Sequence, residues 1–160
     1  MRARHANRGF GDIGAPASLS FHVRPHEPTL TLNAMITSAI PVIAVSDSAR
    51  AEDYYCRVLG FQKMSAYPPD ATKPDPRYLA LARDGVWLHL QSYKPQRAGM
   101  TDAFFWVTDV DRLYEELSAR GAVVQLPPTD QTWGIREMGI RDPDGNVLGF
   151  ATKPANPNVA

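Results

Sequence analysis

Only one cysteine, Cys56, occurs in the 160 residues. A disulfide within the chain and a zinc cluster built on thiolates are therefore excluded. Cys56 falls in a predicted helix among apolar neighbours and is read as a packed or half-buried thiol, not a nucleophile. A reducing compartment, the cytoplasm, suits it. Histidine is scarce as well: His5, His22 and His26 precede residue 35, which leaves His89 alone in the remainder. No apolar run approaches the ~20 residues of a membrane-spanning helix. Arg2, Arg4 and Arg8 are followed by no apolar segment of the kind a secretory signal needs. Net charge is lacking too, since 17 Lys and Arg face 17 Asp and Glu. With no basic stripe, nucleic acid is not an expected partner. A strongly anionic trap for a cationic ligand is also absent.

What is present falls into two unlike parts. Residues 1–34 mix Gly, Ala, Pro, Ser, Arg and His with no sustained period, a composition that cannot repay its ordering entropy. Residues 1–35 are accordingly expected to form a disordered extension, with Ser18–Val23 at most a stray strand. Met35, just ahead of the first clean pattern, is a candidate alternative start. Residues 154–160 are expected to be a flexible tail.

Between them the order is regular and occurs twice. The first module, 36–93, opens with a predicted strand over Ala39–Val45 and a helix cap at Ser46-Asp47-Ser48. Ala51, Tyr54, Tyr55 and Val58 follow at helical spacing, and Gly60 ends the helix. Phe61–Ala66 reads as a strand and the proline-rich Tyr67–Pro76 as a loop. Arg77–Arg83 and Val86–Ser92 read as strands joined by the hairpin signal Asp84-Gly85. The second module, 101–153, repeats this with a strand over Ala103–Val107 and a cap at Thr108-Asp109. Its helix carries Val110, Leu113, Tyr114 and Leu117 and stops at Gly121. A strand over Val123–Leu126 leads to a loop over Pro127–Thr132, then strands over Gly134–Arg141 and Asn146–Thr152 flank Asp142-Pro143-Asp144-Gly145. Asp47 answers to Asp109, and Gly85 to Gly145, at a nearly fixed offset that marks a duplication. The fold class is α+β: two tandem βαβββ modules whose mixed sheets form a concave cleft.

Period-2 alternation sorts the strand residues onto faces. Val86, Leu88 and Leu90 suit packing against the helix, which sends Trp87, His89 and Gln91 to the concave side. By the module repeat, Asp102, Phe104 and Trp106 face the same way. Each ring taken alone is as well explained by core packing. Several rings beside polar groups on one concave face point to a pocket for a flat, partly apolar ligand. His89 is read as a pocket hydrogen-bonding group or a satisfied core histidine. Asp102 is a polar pocket residue or a solvated strand start. Asp53, Glu115 and Glu116 read as solvated surface charge, Asp142 and Asp144 as turn-shaping residues, and the face of Glu137 is open.

The run Ile40-Pro41-Val42-Ile43-Ala44-Val45-Ser46-Asp47, with Tyr54-Tyr55 and Leu59-Gly60-Phe61, resembles the opening of the glyoxalase/bleomycin-resistance/dioxygenase group, the vicinal oxygen chelate superfamily. Asp84-Gly85-Val86-Trp87-Leu88-His89-Leu90, Trp133-Gly134-Ile135-Arg136-Glu137 and Arg141-Asp142-Pro143-Asp144-Gly145-Asn146 continue the resemblance over Ile36–Lys153. Enzymes of that group hold a divalent metal through one side chain on the first and one on the last strand of each module. The resemblance carries those places onto Ile40, His89, Asp102 and Gly149. Isoleucine and glycine offer no donor, and catalytic divalent sites take about three protein ligands or more. No metal and no other cofactor is therefore expected. The resemblance then implies a bleomycin-resistance-like homodimer that sequesters a small aromatic ligand, bleomycin-type antibiotics among them, without catalysis. Such proteins place rings against the flat part of the drug, as Trp87, Phe104 and Trp106 could. Known drug binders of this kind are more acidic than this chain. The alternative is a metal-dependent lyase, isomerase or dioxygenase using His89, Asp102 and Glu137, with its ligand set completed across the dimer.

Overall fold

Two aspartates at equivalent places start the two helices. Asp47 and Asp109 sit in extended backbone, and their carboxylates accept hydrogen bonds from Arg50 N–H at 2.9 Å and Arg112 N–H at 3.0 Å. Each cap satisfies an otherwise orphaned amide and contributes about 1 kcal/mol. The computed structural model describes residues 35–68, 72 and 75–153; the expected N-terminal extension, apart from Met35, and the C-terminal tail lie outside the described residues.

In the first module β1 (Val42–Ala44) leads to α1 (Ser48–Asp53), which continues as a π-helical turn over Tyr54–Val58. There Leu59 N–H donates to Tyr54 O at 3.1 Å, the i→i+5 bond that defines such a turn. Gly60, at φ 76°, takes the left-handed conformation that ends it. β2 (Gln62–Tyr67), β3 (Tyr78–Arg83) and β4 (Val86–Gln91) complete a sheet ordered β1-β4-β3-β2. The second module repeats this with β5 (Asp102–Val107), α2 (Val110–Ala119), β6 (Val123–Asp130), β7 (Arg136–Arg141) and β8 (Val147–Thr152). Its sheet is ordered β5-β8-β7-β6. In both sheets the first strand runs parallel to the last and the other pairs are antiparallel. The βαβββ repeat and the mixed sheets are those read from the sequence.

Most strand ends fall within two residues of those expected, and two boundaries differ by more. β1 begins at Val42, not Ala39; Pro41 contributes only its carbonyl, which accepts from His89 N–H at 3.0 Å. β6 runs on through Pro127 and Pro128 to Asp130, where a loop was expected. It is an edge strand, and its register shifts between Leu126 and Thr129, so neither proline has to donate to the ladder.

One core serves both modules. Ile43, Leu79, Leu81, Leu88 and Leu90 on the back of the first sheet are wholly buried, as are Ile140 and Leu148 on the second. A polar lock joins the modules beside it. The buried Asp142 carboxylate accepts from Asp144 N–H (2.9 Å), Asn146 N–H (2.8 Å), Asn146 Nδ2 (2.8 Å) and Tyr55 Oη (3.0 Å). Asn146 Nδ2 also donates to Ala44 O at 2.9 Å, and Asp144 accepts from Ser46 and Arg50. These aspartates shape their turn, as expected, and also dock it onto the first module. Glu116 is likewise engaged, pairing with Arg83 at 2.9 Å across the modules.

Candidate functional site

Residues paired across neighbouring strands point to the same side of a sheet. On the open side of the first sheet, Val42, His89 and Ala80 form one row, and Ala44, Gln91, Tyr78 and Tyr67 the next. Trp87 lies beyond His89 on the same strand face, with Ala82 opposite. The structure thus brings Trp87, His89 and Gln91 together on the face opposite the leucines. Trp87 is 41% exposed, too open for a core ring. Its ring meets that of His89 edge-on at 6.4 Å, and Tyr78 packs edge-on against His89 at 5.3 Å. Tyr78 Oη and His89 Nδ1 are 2.9 Å apart, which fixes the imidazole and leaves Nε2 without a protein partner among the described residues.

The second sheet carries the other three predicted residues on its open side. Phe104 faces Gly149, which in turn faces Gly139, and Trp106 faces Ala151 and then Glu137. Phe104 and Trp106 are 50% and 45% exposed and meet edge-on at 5.3 Å. The phenyl ring rests on the glycine: a Cβ built on Gly149 would stand 2.7 Å from Phe104 Cδ2. Gly149, having no side chain, therefore makes a flat floor for an aromatic plate. Asp102 is exposed at the head of β5. Glu137, whose face the sequence left open, shares the face of Trp106.

The six residues form two sets of three, one per sheet, and among the described residues no ring contact joins the sets within one chain. A cavity of about 540 Å³ lies at the junction of the modules, lined by Phe61, Val86, Phe105, Leu113, Trp106 and Phe150 among others; it includes neither Trp87, His89 nor Phe104. Sequence reasoning missed Tyr78 and Tyr67. Alternation on β3 carried the signal for Tyr78, since Leu79 and Leu81 claim the core and send their neighbours out.

The donor set does not fit a metal. Of the four places where the superfamily's enzymes hold one, Ile40 has no donor atom and Gly149 lies under the Phe104 ring. His89 has Nδ1 tied to Tyr78, and Asp102 is on the other sheet. Among the described residues no three His, Cys, Asp or Glu side chains are grouped to hold an ion. Nucleophilic chemistry has no better footing. Burial pushes the Cys56 thiol up, reinforced by the nearby Glu52 carboxylate, and so disfavours the thiolate. The Tyr55 hydroxyl is held well above its ordinary value by burial and then by the charge of Asp142. No helix among the described residues is long and apolar enough to cross a membrane.

A comparison with curated proteins gives no match. Solved structures do match. The bleomycin-binding protein of bleomycin-producing Streptomyces verticillus, complexed with copper(II)-bleomycin, is 27% identical with a TM-score of 0.62, over 75% of this chain and 98% of that one. TnmS3, an antibiotic binding protein from Streptomyces sp. CB03234, is 29% identical with a TM-score of 0.60, over 74% and 98%. A glyoxalase/bleomycin resistance protein from the same Streptomyces strain is 30% identical with a TM-score of 0.58, over 71% and 98%. The family model that matches spans residues 36–150, from the approach to β1 nearly to the end of β8. With its paired βαβββ modules, the chain belongs to the glyoxalase/bleomycin resistance protein/dioxygenase superfamily.

Proposed function

We propose that this protein binds and sequesters a small, flat aromatic ligand, an antibiotic of bleomycin type among the candidates, without chemical change. The supporting observation is the pair of open ring faces on separate sheets: Trp87 beside His89, and Phe104 on its glycine floor beside Trp106. Half-exposed rings of this size, on a chain with its own complete core, are characteristic of an interaction surface. A twofold homodimer that sets the first sheet of one copy against the second sheet of the other would create two equivalent clefts, each walled by rings on both sides. Gln91 and Asp102 would supply polar contacts at the rims. The antibiotic-binding relatives support the ligand class, and the lone reduced cysteine supports a cytoplasmic location.

A thermal-shift panel of bleomycin, other aromatic antibiotics and divalent ions tests the proposal, since a ligand that binds only the folded state raises the melting temperature by mass action. The expected result is a shift by at least one aromatic compound and none by the ions. The rival reading is a metal-dependent lyase, isomerase or dioxygenase that draws His89, Asp102 and Glu137 into one site across the dimer. Elemental analysis separates the two: one tightly held zinc, iron or manganese per subunit would sink the sequestration reading.

A further inference from the structure

On the helix side of the first module, away from both ring faces, a guanidinium is buried without a counter-charge among the described residues. Arg77 is only 8% exposed. Its backbone is tied down, with N–H donating to Ser92 Oγ at 2.8 Å and the carbonyl accepting from Ser92 N–H at 2.9 Å. Its side chain has no such anchor. Nε is buried with no hydrogen-bond partner, and the guanidinium makes no ion pair among the described residues. The carboxylates nearby are otherwise committed. Asp75 accepts from Ser48 N–H at 3.2 Å and from Ser92 Oγ, Glu52 pairs with Lys63, and Asp53 pairs with Arg57 at 2.9 Å.

Arg77 lines a cavity of about 420 Å³ together with Cys56, Arg57, Lys63, Glu52 and Asp53. Three cations against two carboxylates leave one positive charge, and Arg77 is the cation with no partner. A buried guanidinium is costly unless it is paired, and its planar fork matches a carboxylate or a phosphate. Arg57 and Asp53 are both largely exposed, so their pair is weak and Arg57 is free to turn toward an anion. The π-helical turn places Cys56 and Arg57 on the cavity wall, and such turns recur at functional sites.

We propose that this cavity is a second binding site, for a small molecule bearing one carboxylate or phosphate group, held on Arg77 and Arg57 with its remainder against Cys56. None of these residues belongs to the ring faces, so the site is independent of the sequestration reading.

Cys56, the chain's only cysteine, is a built-in reporter. Its alkylation by iodoacetate, which carries a carboxylate, is compared with alkylation by neutral iodoacetamide of nearly the same size. The ratio of the two rates should be about tenfold higher in the unaltered protein than in Arg77→Met, because a localised positive charge concentrates the anionic reagent. Inorganic phosphate and acetate, each balanced with potassium chloride to constant ionic strength, should slow the iodoacetate reaction saturably. The stronger competitor identifies the anion class. Equal rate ratios in the two proteins would overturn the proposal. Should Arg77→Met fail to fold, the competition in the unaltered protein decides: a slowing no greater than that of chloride overturns it. Competition seen only in dilute monomer and lost on dimerisation would also overturn it, since the counter-charge would then be a carboxylate of a second copy.

Discussion

The two modules share a plan and differ in what they display. Both start a helix with an aspartate cap and run the first strand parallel to the last. Their turns before the last strand diverge. In the first module Asp84-Gly85 is a two-residue hairpin, both residues left-handed at φ 51° and 79°, projecting into solvent. In the second the equivalent turn is drawn inward, and buried Asp142 collects donors from both modules. Their open faces diverge as well. The first presents rings held by a polar contact, Tyr78 to His89; the second presents rings laid on bare backbone, Phe104 on Gly149. Duplication supplied the topology twice. The two copies then took separate work, one locking the modules together and each building a different wall.

The turn comparison yields the largest expected effect. Asp142→Ala removes the acceptor of four donors at once, three of them buried, and should destabilise the protein by about 3–5 kcal/mol, read from the urea midpoint at unchanged slope. Asp84→Ala, at the equivalent turn, should cost less than about 1 kcal/mol, mostly from the lost tolerance of positive φ. Equal losses would show that the two turns do the same job.

The ring faces come next. Trp106→Ala, Phe104→Ala and Trp87→Ala should each weaken binding of whichever ligand the panel finds by about tenfold or more, since each removes a stacking surface and its buried area. Melting curves check first that each variant remains folded. If the second-sheet variants lose affinity and Trp87→Ala does not, only one wall touches the ligand. If all three bind unchanged, neither face is the site.

Much of this was readable in the sequence because period-2 alternation is strict where one face is buried. Leu88 and Leu90 had to go inward, which put Trp87 and His89 outside. The aspartate caps were legible for the same kind of reason, a local rule with one good solution. Four features were not. The π-helical turn preserves the spacing of Tyr54, Tyr55 and Val58 that an α-helix would show, so periodicity does not reveal it. Pro127 and Pro128 argue against a strand unless the strand is known to be at an edge, which is a property of the assembled sheet. The Phe104 plate depends on Gly149 lying opposite it, and cross-strand register is fixed by the fold, not by either segment alone. Arg77 was missed outright, because an unpaired buried charge is visible only after every neighbouring carboxylate has been assigned a partner.

Gly149→Ala tests that plate directly. The added methyl would meet Phe104 Cδ2 at 2.7 Å, so the ring must lift from the sheet. The expected costs are about 1–3 kcal/mol in stability from overpacking and about fivefold in ligand affinity from the lost ring geometry. Gly139→Ala, whose added carbon finds ordinary 3.5 Å contact with Leu126, should do neither. A loss of stability with unchanged affinity would make the phenyl ring a structural plug over the sheet.

Tyr78→Phe should have the smallest effect, and it probes the other wall. The ring remains against His89 at the same edge-on contact, and only the hydroxyl 2.9 Å from Nδ1 is lost. One neutral hydrogen bond at a half-buried site contributes about 0.5–1.5 kcal/mol, so stability should fall by no more than that. The more telling readout is the imidazole itself. With Tyr78 in place one His89 tautomer is favoured, because one ring nitrogen is committed to the phenol; without it both tautomers should be populated, which nitrogen chemical shifts report. Where His89 contributes a hydrogen bond to the ligand, that loss of order should weaken binding by about twofold to threefold. A shifted tautomer balance with unchanged affinity would leave His89 as a support for Trp87. It would place the polar contact with the ligand on Gln91 or across the cleft.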